Sequence, residues 1–361
     1  MICQKYNPDP ASIITMFKEK YTIKDIAEMA GVSKGTVDRV LHKRGKVSKN
    51  AFEKVDKVLK EIDYRPNPIA RNLKKNKTYS IHVLLPDPEK DPYWIPAYEG
   101  VVEAADQFTP FGILIRKYFY DPTEKSSFME ESEKAILSRP DVLLMAPIFK
   151  NESQVVLGQC CEVKIPVVVF NNHINCFKEQ IFIGQDLKQS GRVAASLMDK
   201  IITKNDEIAI IHINKEPHMQ AKENGFIEFF AEKSDSNHIV VSKTFNSAEK
   251  SGFKQEVSQF IQSNPKISAF FVTNSKAYML VEAFESIEKK DGKIIGYDLL
   301  KPNIKYLKQG AIKFLIHQKP KRQAFLSVNY LAEHFLFGKP LPPQELLPID
   351  IITTENAQYY L

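Results

Sequence analysis

Apolar positions follow two different rhythms along this chain. Between Tyr21 and Tyr64 they recur every three or four residues: Ile23, Ile26, Ala27 and Ala30, then Thr36, Val37, Val40 and Leu41, then Phe52, Val55, Val58, Leu59 and Ile62. Such spacing gathers them on one face of a helix, so three short amphipathic helices are expected to share one small core. Thr22, Ser33 and Ser48 stand where N-caps are needed, and Gly31 ends the first helix, where a left-handed residue costs glycine least. Helix, glycine turn and helix make a helix-turn-helix pattern.

From Tyr79 onward the apolar residues form short continuous runs. Strands are expected at 81–86, 111–119, 142–147, 165–170, 181–184, 207–213, 238–245, 269–274, 294–298 and 312–318. Between most of them run amphipathic helices, at 97–108, 124–138, 188–202, 219–232, 249–262, 276–287 and 319–337. Continuous apolar runs imply strands buried on both faces, hence parallel sheets covered by helices. Ten strands are many for one sheet, and the order repeats around residue 205. The expected fold class is therefore an all-α headpiece followed by an α/β core of two doubly wound parallel-sheet subdomains.

Charge divides the chain at the same place. Residues 1–77 hold 18 Lys or Arg against 9 Asp or Glu, a surplus of nine, while the rest holds 32 against 35, a deficit of three. Basicity confined to one end points to a nucleic-acid-binding module joined to something with another task. At 361 residues, 43% hydrophobic and 26% charged, the composition excludes a disordered tail protein or a disulfide-stapled miniprotein. No apolar window reaches the roughly 18 residues of a membrane helix, and residues 1–20 lack the pattern of a secretory leader, so a cytoplasmic protein is expected. The four cysteines, Cys3, Cys160, Cys161 and Cys176, have neither metal-ligand nor redox spacing.

The run from Thr22 to Thr78, TIKDIAEMAGVSKGTVDRVLHKRGKVSKNAFEKVDKVLKEIDYRPNPIARNLKKNKT, resembles the DNA-binding headpiece and hinge of the lactose-repressor (LacI/GalR) family. The resemblance implies that the second helix lies in the major groove, with Lys34 and Gly35 at the two main base-reading positions and Thr36 and Arg39 at the phosphate- and base-contacting ones. Thr22, Ser33 and His42 complete the implied headpiece contacts. Asp38 departs from the small polar residue usual there; it must point away, pair with a neighbouring Lys or Arg, or accept from a cytosine amino group. In the hinge, Asn67-Pro68 opens a short helix. Leu73 matches the leucine that wedges between base steps in the minor groove, and Asn67, Ala70 and Arg71 match its surroundings. The implied division is an extension over 1–20, a headpiece over 21–65, a hinge over 66–78 and a core over 79–361. The core splits into a first subdomain of about 79–204 and 318–344, and a second of about 205–317 and 345–361.

The core resembles the type I periplasmic sugar-binding fold that serves this family as effector domain, with GQDLKQSGRVAA, QAKENGF, FFVTN, GYD and IHQKP in family order. Ligands of doubly wound sheets bind at the carboxyl ends of strands, and polar and aromatic residues gather at those ends. The resemblance implies that Tyr93 and Trp94 line the pocket and that Lys222 meets ligand hydroxyls or charge. It places Asn171 and Asn172 where sugar binders often carry an acid and an arginine, and makes Asn274, Asp298 and Gln318 hydrogen-bonding positions. Asp186 serves equally as a ligand contact or as the cap of the helix over 188–202; Asp298 also fits a strand-end turn, and Trp94 also fits ordinary core.

Four classes of function are open to such a chain. Against a sugar-metabolising enzyme, the sequence has no phosphate loop, nucleophile elbow or metal cluster, and although Asp186 and Asp298 could pair in space, sequence shows no separation between them; no catalytic residue, cofactor or metal is expected. An exported solute-binding protein would need a leader and no basic module, and a purely architectural DNA-binding protein would have no use for so large a core. The expected function is a DNA-binding transcriptional regulator, a homodimer or higher homo-oligomer on a pseudo-palindromic operator. Its expected effector is a small polar molecule, a sugar or sugar derivative.

Overall fold

The chain divides into two units, Met1–Arg71 and Asn72–Leu361. The computed structural model describes residues 21–42, 44–62, 64, 77–174, 181–233, 238–247, 249–289 and 292–361. The extension over 1–20 and the hinge positions Asn67, Ala70, Arg71 and Leu73 lie outside the described residues.

In the first unit, α1 (Ile23–Ala30), α2 (Lys34–Leu41) and α3 (Lys49–Glu61) close around Ile26, Ala27, Ala30, Val37, Val40, Val55 and Val58. Each helix begins on its expected cap. Thr22 and Asp25 form a reciprocal capping box, Ser33 accepts from the Thr36 amide at 3.2 Å, and Ser48 accepts from the Ala51 amide at 3.3 Å. These bonds satisfy amides that the helix itself leaves without partners. Gly31 turns the chain at φ 62°, in the left-handed region. One expected core residue is not buried: Phe52, in the first turn of α3, is 47% exposed, so the apolar seam of that helix starts at Val55.

The second unit holds two separate six-stranded sheets. The first contains β1 (Tyr79–Pro86), β2 (Ile113–Tyr120), β3 (Val142–Met145), β4 (Val167–Asn171), β5 (Ile181–Gly184) and the late strand β11 (Gln344–Leu346), in the order β11-β5-β4-β3-β1-β2, all parallel. The second contains β6 (Glu207–Ile213), β7 (Val240–Phe245), β8 (Ile267–Val272), β9 (Lys293–Tyr297), β10 (Ile312–His317) and β12 (Asp350–Ile352), in the order β12-β10-β9-β8-β6-β7. Only β12 runs antiparallel there. The central strands are buried along nearly their whole length, as continuous apolar runs require. All ten expected strands are present, together with two three-residue strands, β11 and β12, that no apolar run announces.

The covering helices are α4 (Ile95–Phe108), α5 (Lys125–Leu137), α6 (Lys150–Glu162), α7 (Leu187–Ile201), α8 (Pro217–Glu232), α9 (Lys250–Ser263), α10 (Ala277–Ser286), α11 (Lys301–Lys308) and α12 (Pro320–Phe337). Of these, α6 and α11 were not expected. The division of the core also differs from the expected one. Ala194, Ala195 and Met198 of α7 pack with Ile208, Phe271 and Ile316 of the second sheet, so the chain crosses between lobes just after β5 rather than near residue 204. It crosses back between β10 and α12, whose Ala324, Val328 and Leu331 join the first lobe's core, and crosses a third time between β11 and β12.

Glycine marks the tightest contacts between helices. A Cβ on Gly191 of α7 would stand 1.9 Å from the Lys222 carbonyl oxygen of α8, and one on Gly225 of α8 would stand 1.9 Å from the Lys188 carbonyl oxygen of α7. In the first lobe, a Cβ on Gly100 of α4 would meet the Lys321 carbonyl oxygen of α12 at 2.2 Å. Gly191 of GQDLKQSG and Gly225 of ENGF thus allow two backbones to touch.

Candidate functional site

Two surfaces carry the expected contacts. On the first unit, Lys34 and Gly35 are exposed in the first turn of α2, and Arg39 is exposed further along the same helix. Glycine at position 35 is not demanded by packing, since a Cβ there would meet only Ser33 Oγ, at 3.7 Å. Thr22 and Ser33 are committed to caps, and Ser33 Oγ also lies 2.9 Å from Thr36 Oγ1. The carboxylate of Asp38 lies 3.6 Å from Nε2 of His42, one turn on. A histidine, rather than Lys or Arg, is thus its neighbour.

On the second unit, the carboxyl ends of both sheets face one another across a cleft. Six of the nine expected residues, Tyr93, Trp94, Asn171, Asn172, Asn274 and Gln318, line one narrow space there of about 30 Å³. Tyr93 and Trp94 end a 3₁₀ turn after β1, started by Asp91, whose carboxylate accepts from the Tyr93 amide. The Trp94 ring stands edge-on to Tyr93 at 5.0 Å and to Phe170 at 6.4 Å, so it is core and cleft wall together.

The polar side chains are already joined. Asn171 Nδ2 donates to Tyr93 Oη at 2.6 Å, and Gln318 Nε2 approaches the same oxygen at 3.4 Å. Gln318 donates to Asp298 through its side chain at 2.6 Å and its backbone amide at 2.9 Å. A hydrogen-bonded chain therefore runs from the first lobe, through the second crossing, into the second lobe. Asp298 lies behind Gln318 rather than on the lining, 2% exposed, with φ 62° at the strand-end turn. Asn172 and Asn274 brace strand ends, donating to the carbonyls of Pro147 at 2.9 Å and Ile213 at 2.7 Å.

Two expected contacts are placed elsewhere. Lys222 is fully buried behind the lining: its ammonium donates to the Thr273 carbonyl at 3.0 Å and sits 3.7 Å from the Tyr297 ring centroid. Burial draws its pKa down to about 8, against the opposing pull of Asp298 and Glu216. Asp186 is exposed and caps α7, accepting from the Gln189 amide at 2.9 Å; it borders a neighbouring cavity of about 460 Å³ instead.

The cleft also recruits residues the sequence did not single out, among them Glu216, His218 and Lys276. The first two flank Pro217, the opening residue of α8, and a charged residue before a proline at a strand's end was the available signal. Burial pushes the Glu216 carboxyl up to about 7; Asp91 adds to the rise, while Lys276 and Lys222 oppose it. Burial, with Lys222 and His212 nearby, holds His218 well below the usual histidine range.

A pH prediction follows from Glu216. Between its ordinary value of 4.5 and about 7 the folded protein holds a proton that the unfolded chain has released, so this group's contribution to stability falls as pH rises through that window. Glu216→Gln is expected to remove that slope. Thermal melts of wild type and variant from pH 5 to 8 should diverge with rising pH, the variant being the more stable at pH 8; parallel curves would exclude the assignment.

Among the described residues, no group of three His, Cys, Asp or Glu is placed to hold a metal ion, and no helix is long and apolar enough to cross a membrane.

Residues 22–67 match the family described as bacterial regulatory proteins, lacI family, and residues 81–340 match the periplasmic binding protein domain. The chain is 25% identical over 287 residues to the HTH-type transcriptional regulator MalR of Streptococcus pneumoniae, spanning 78% of this chain and 85% of the relative. It is 27% identical over 285 residues to the ribose operon repressor of Halalkalibacterium halodurans, spanning 77% and 80%. A crystal structure from Bacteroides fragilis, described as a LacI transcriptional regulator, matches with a TM-score of 0.71 at 28% identity, over 79% of this chain and 100% of that one.

Proposed function

The chain belongs to the lacI family of bacterial regulatory proteins, with a periplasmic binding protein domain as its larger unit, and from that membership we propose how its two units work together. It is a DNA-binding transcriptional regulator. In the proposed reading it is a cytoplasmic repressor, a homodimer or higher homo-oligomer that sets two headpieces on the halves of a pseudo-palindromic operator. Lys34 and Arg39 read base edges, and Gly35 lets the backbone of α2 approach the groove. The side-chain oxygens of Thr22 and Ser33 act through the caps, holding helix ends toward the phosphates. Asn67, Ala70, Arg71 and Leu73 form the minor-groove contact.

The effector in this reading is a small polyhydroxylated molecule of the sugar class, bound in the cleft without chemical conversion. One observation carries it: the hydrogen-bonded chain Asn171–Tyr93–Gln318–Asp298 joins both lobes through a crossing segment. A ligand that takes over the Asn171 and Gln318 amides alters the energy of one lobe against the other. Its effect on DNA affinity equals its difference in affinity for the two lobe arrangements.

Trp94→Ala tests this reading. It removes the ring that stands edge-on to Tyr93 while leaving every hydrogen-bonding group of the chain in place, so the variant should keep operator affinity while binding sugar at least about tenfold more weakly, the loss of one stacking and burial contribution. Titration calorimetry and operator binding measured on one preparation decide it. Undiminished sugar binding would place the effector elsewhere.

A further inference from the structure

Helix α2 buries Val37 and Val40, and a turn of about 100° per residue sets Lys34, Gly35, Asp38, Arg39 and His42 on the arc away from that core. Asp38 is the one acid on this arc. Its side chain is 40% exposed, and among the described residues its carboxylate accepts no hydrogen bond. His42 is its only ion-pair partner among those residues, with Nε2 at 3.6 Å from Oδ1, too far for a hydrogen bond. Arg39 runs elsewhere: its Cδ lies 3.8 Å from where a Cβ on Gly45 would stand, beyond the end of α2.

Gly35 is the second unusual residue of the arc. Glycine weakens a helix, and packing does not ask for it here. Residues three apart on a helix are neighbours, so the space that Gly35 leaves empty lies beside Asp38. With no side chain at that point, the backbone of α2 can come close to the floor of a groove. Such closeness is what a side chain as short as aspartate needs to reach a base edge. The glycine and the acid thus account for each other.

A carboxylate brought among phosphates is repelled by them and, when ionised, can only accept hydrogen bonds. The major groove offers it two donors, the N4 amino group of cytosine and the N6 amino group of adenine. The adenine donor stands beside the N7 acceptor, which repels a carboxylate, whereas the cytosine donor has only a C–H next to it. Guanine and thymine present acceptors at this place. We propose that Asp38 determines operator specificity by accepting from the N4 amino group of one cytosine in each half of the operator. Its negative charge rejects the other bases as much as it attracts cytosine, and lowers affinity for DNA of any other sequence. His42 is a positioning residue, facing Oδ1 and leaving Oδ2 to the base. The proposal rests on the reading that α2 lies in the major groove.

The test selects binding sites for the full chain from a randomised duplex library and compares wild type with Asp38→Asn, Asp38→Ala and Lys34→Ala. Wild-type sites are expected to carry cytosine at one position of each half, preferred about tenfold or more over the other bases. Asp38→Asn, which donates as well as accepts, should exchange that cytosine for adenine. Asp38→Ala should reduce the preference at that position to less than about twofold and bind scrambled duplex more tightly. A duplex with N4-methylcytosine at the same position keeps its pairing with guanine but carries a methyl group in place of the free amino hydrogen. It should bind wild type about tenfold more weakly, and this reads the contact without any variant having to fold. Unchanged preferences in both Asp38 variants, a loss spread evenly over all positions, or indifference to the methyl group would overturn the role of Asp38. Altered preferences in Lys34→Ala would then leave α2 in the groove. No enriched sequence for wild type, or preferences unchanged in Lys34→Ala and both Asp38 variants alike, would overturn both.

Discussion

Gly191→Ala is expected to destabilise the second lobe by about 3 kcal/mol, the upper part of the range for overpacking. The added methyl would stand 1.9 Å from the Lys222 carbonyl oxygen and 2.7 Å from its carbonyl carbon, and neither can swing aside as a flexible side chain does. Relief requires α7 and α8 to separate, and Gly225 sits against Lys188 in the reciprocal contact, so both halves of the seam open together. The interior is packed too densely to absorb such a shift locally. Gly158→Ala is the matched control: it lies inside α6 with nothing within 4 Å of its Cβ position, and should gain up to about 1 kcal/mol from helix propensity. Urea denaturation of the two variants should therefore move the midpoint in opposite directions. Similar midpoints would refute the close-contact account.

Operator affinity is expected to fall about a thousandfold or more between 50 and 200 mM salt, the loss typical of six or more neutralised phosphates. The surplus of nine positive charges over residues 1–77 is large enough for six or more such contacts on each headpiece, while the remaining chain carries a deficit of three. Lys34→Ala should remove about 1–3 kcal/mol of operator binding and relax preference at one base pair, whereas loss of a phosphate contact weakens all sequences alike. Fluorescence anisotropy on operator and scrambled duplexes separates the two effects. A salt dependence flat across this range would argue against a headpiece held mainly by phosphates.

Much of this architecture is legible in the sequence because the physics that sets it is local. The runs IHVLLP and EIAIIHI are too uniformly apolar for anything but central strands, and Thr22, Ser33 and Ser48 cap the helices they precede. Where interactions are long-range, sequence reasoning loses its hold. α6 begins KNES and carries only a weak apolar stripe, and α11 is eight residues long, so neither announces itself. The allegiance of α7 to the second lobe depends on which helix meets Gly191 across space. In the cleft, the residues at strand ends could be named from their positions, and six of nine do line one space. Lys222 could not be placed that way: whether a lysine reaches a cleft or turns beneath a tyrosine ring is a matter of rotamer and neighbours. Glu216 and His218 join the cleft because Pro217 starts α8 between them at the end of β6, a position that has no pattern of its own.

The lateness of β11 and α12 bears on how the protein is made. The first lobe's early strands are complete at Gly184, yet α12, which covers part of their apolar face, ends at Phe337, and the strand that pairs with β5 ends at Leu346. At about 5–20 residues per second, a ribosome needs roughly 10–30 s to bridge that interval. Throughout it the nascent chain carries a sheet with one face covered only in part, by α4, and with the β5 edge unpaired, and the first lobe finishes folding only after nearly the whole polypeptide has emerged. Such an intermediate is a natural client for chaperones and a natural starting point for aggregation, and its lifetime is set by the rate of translation.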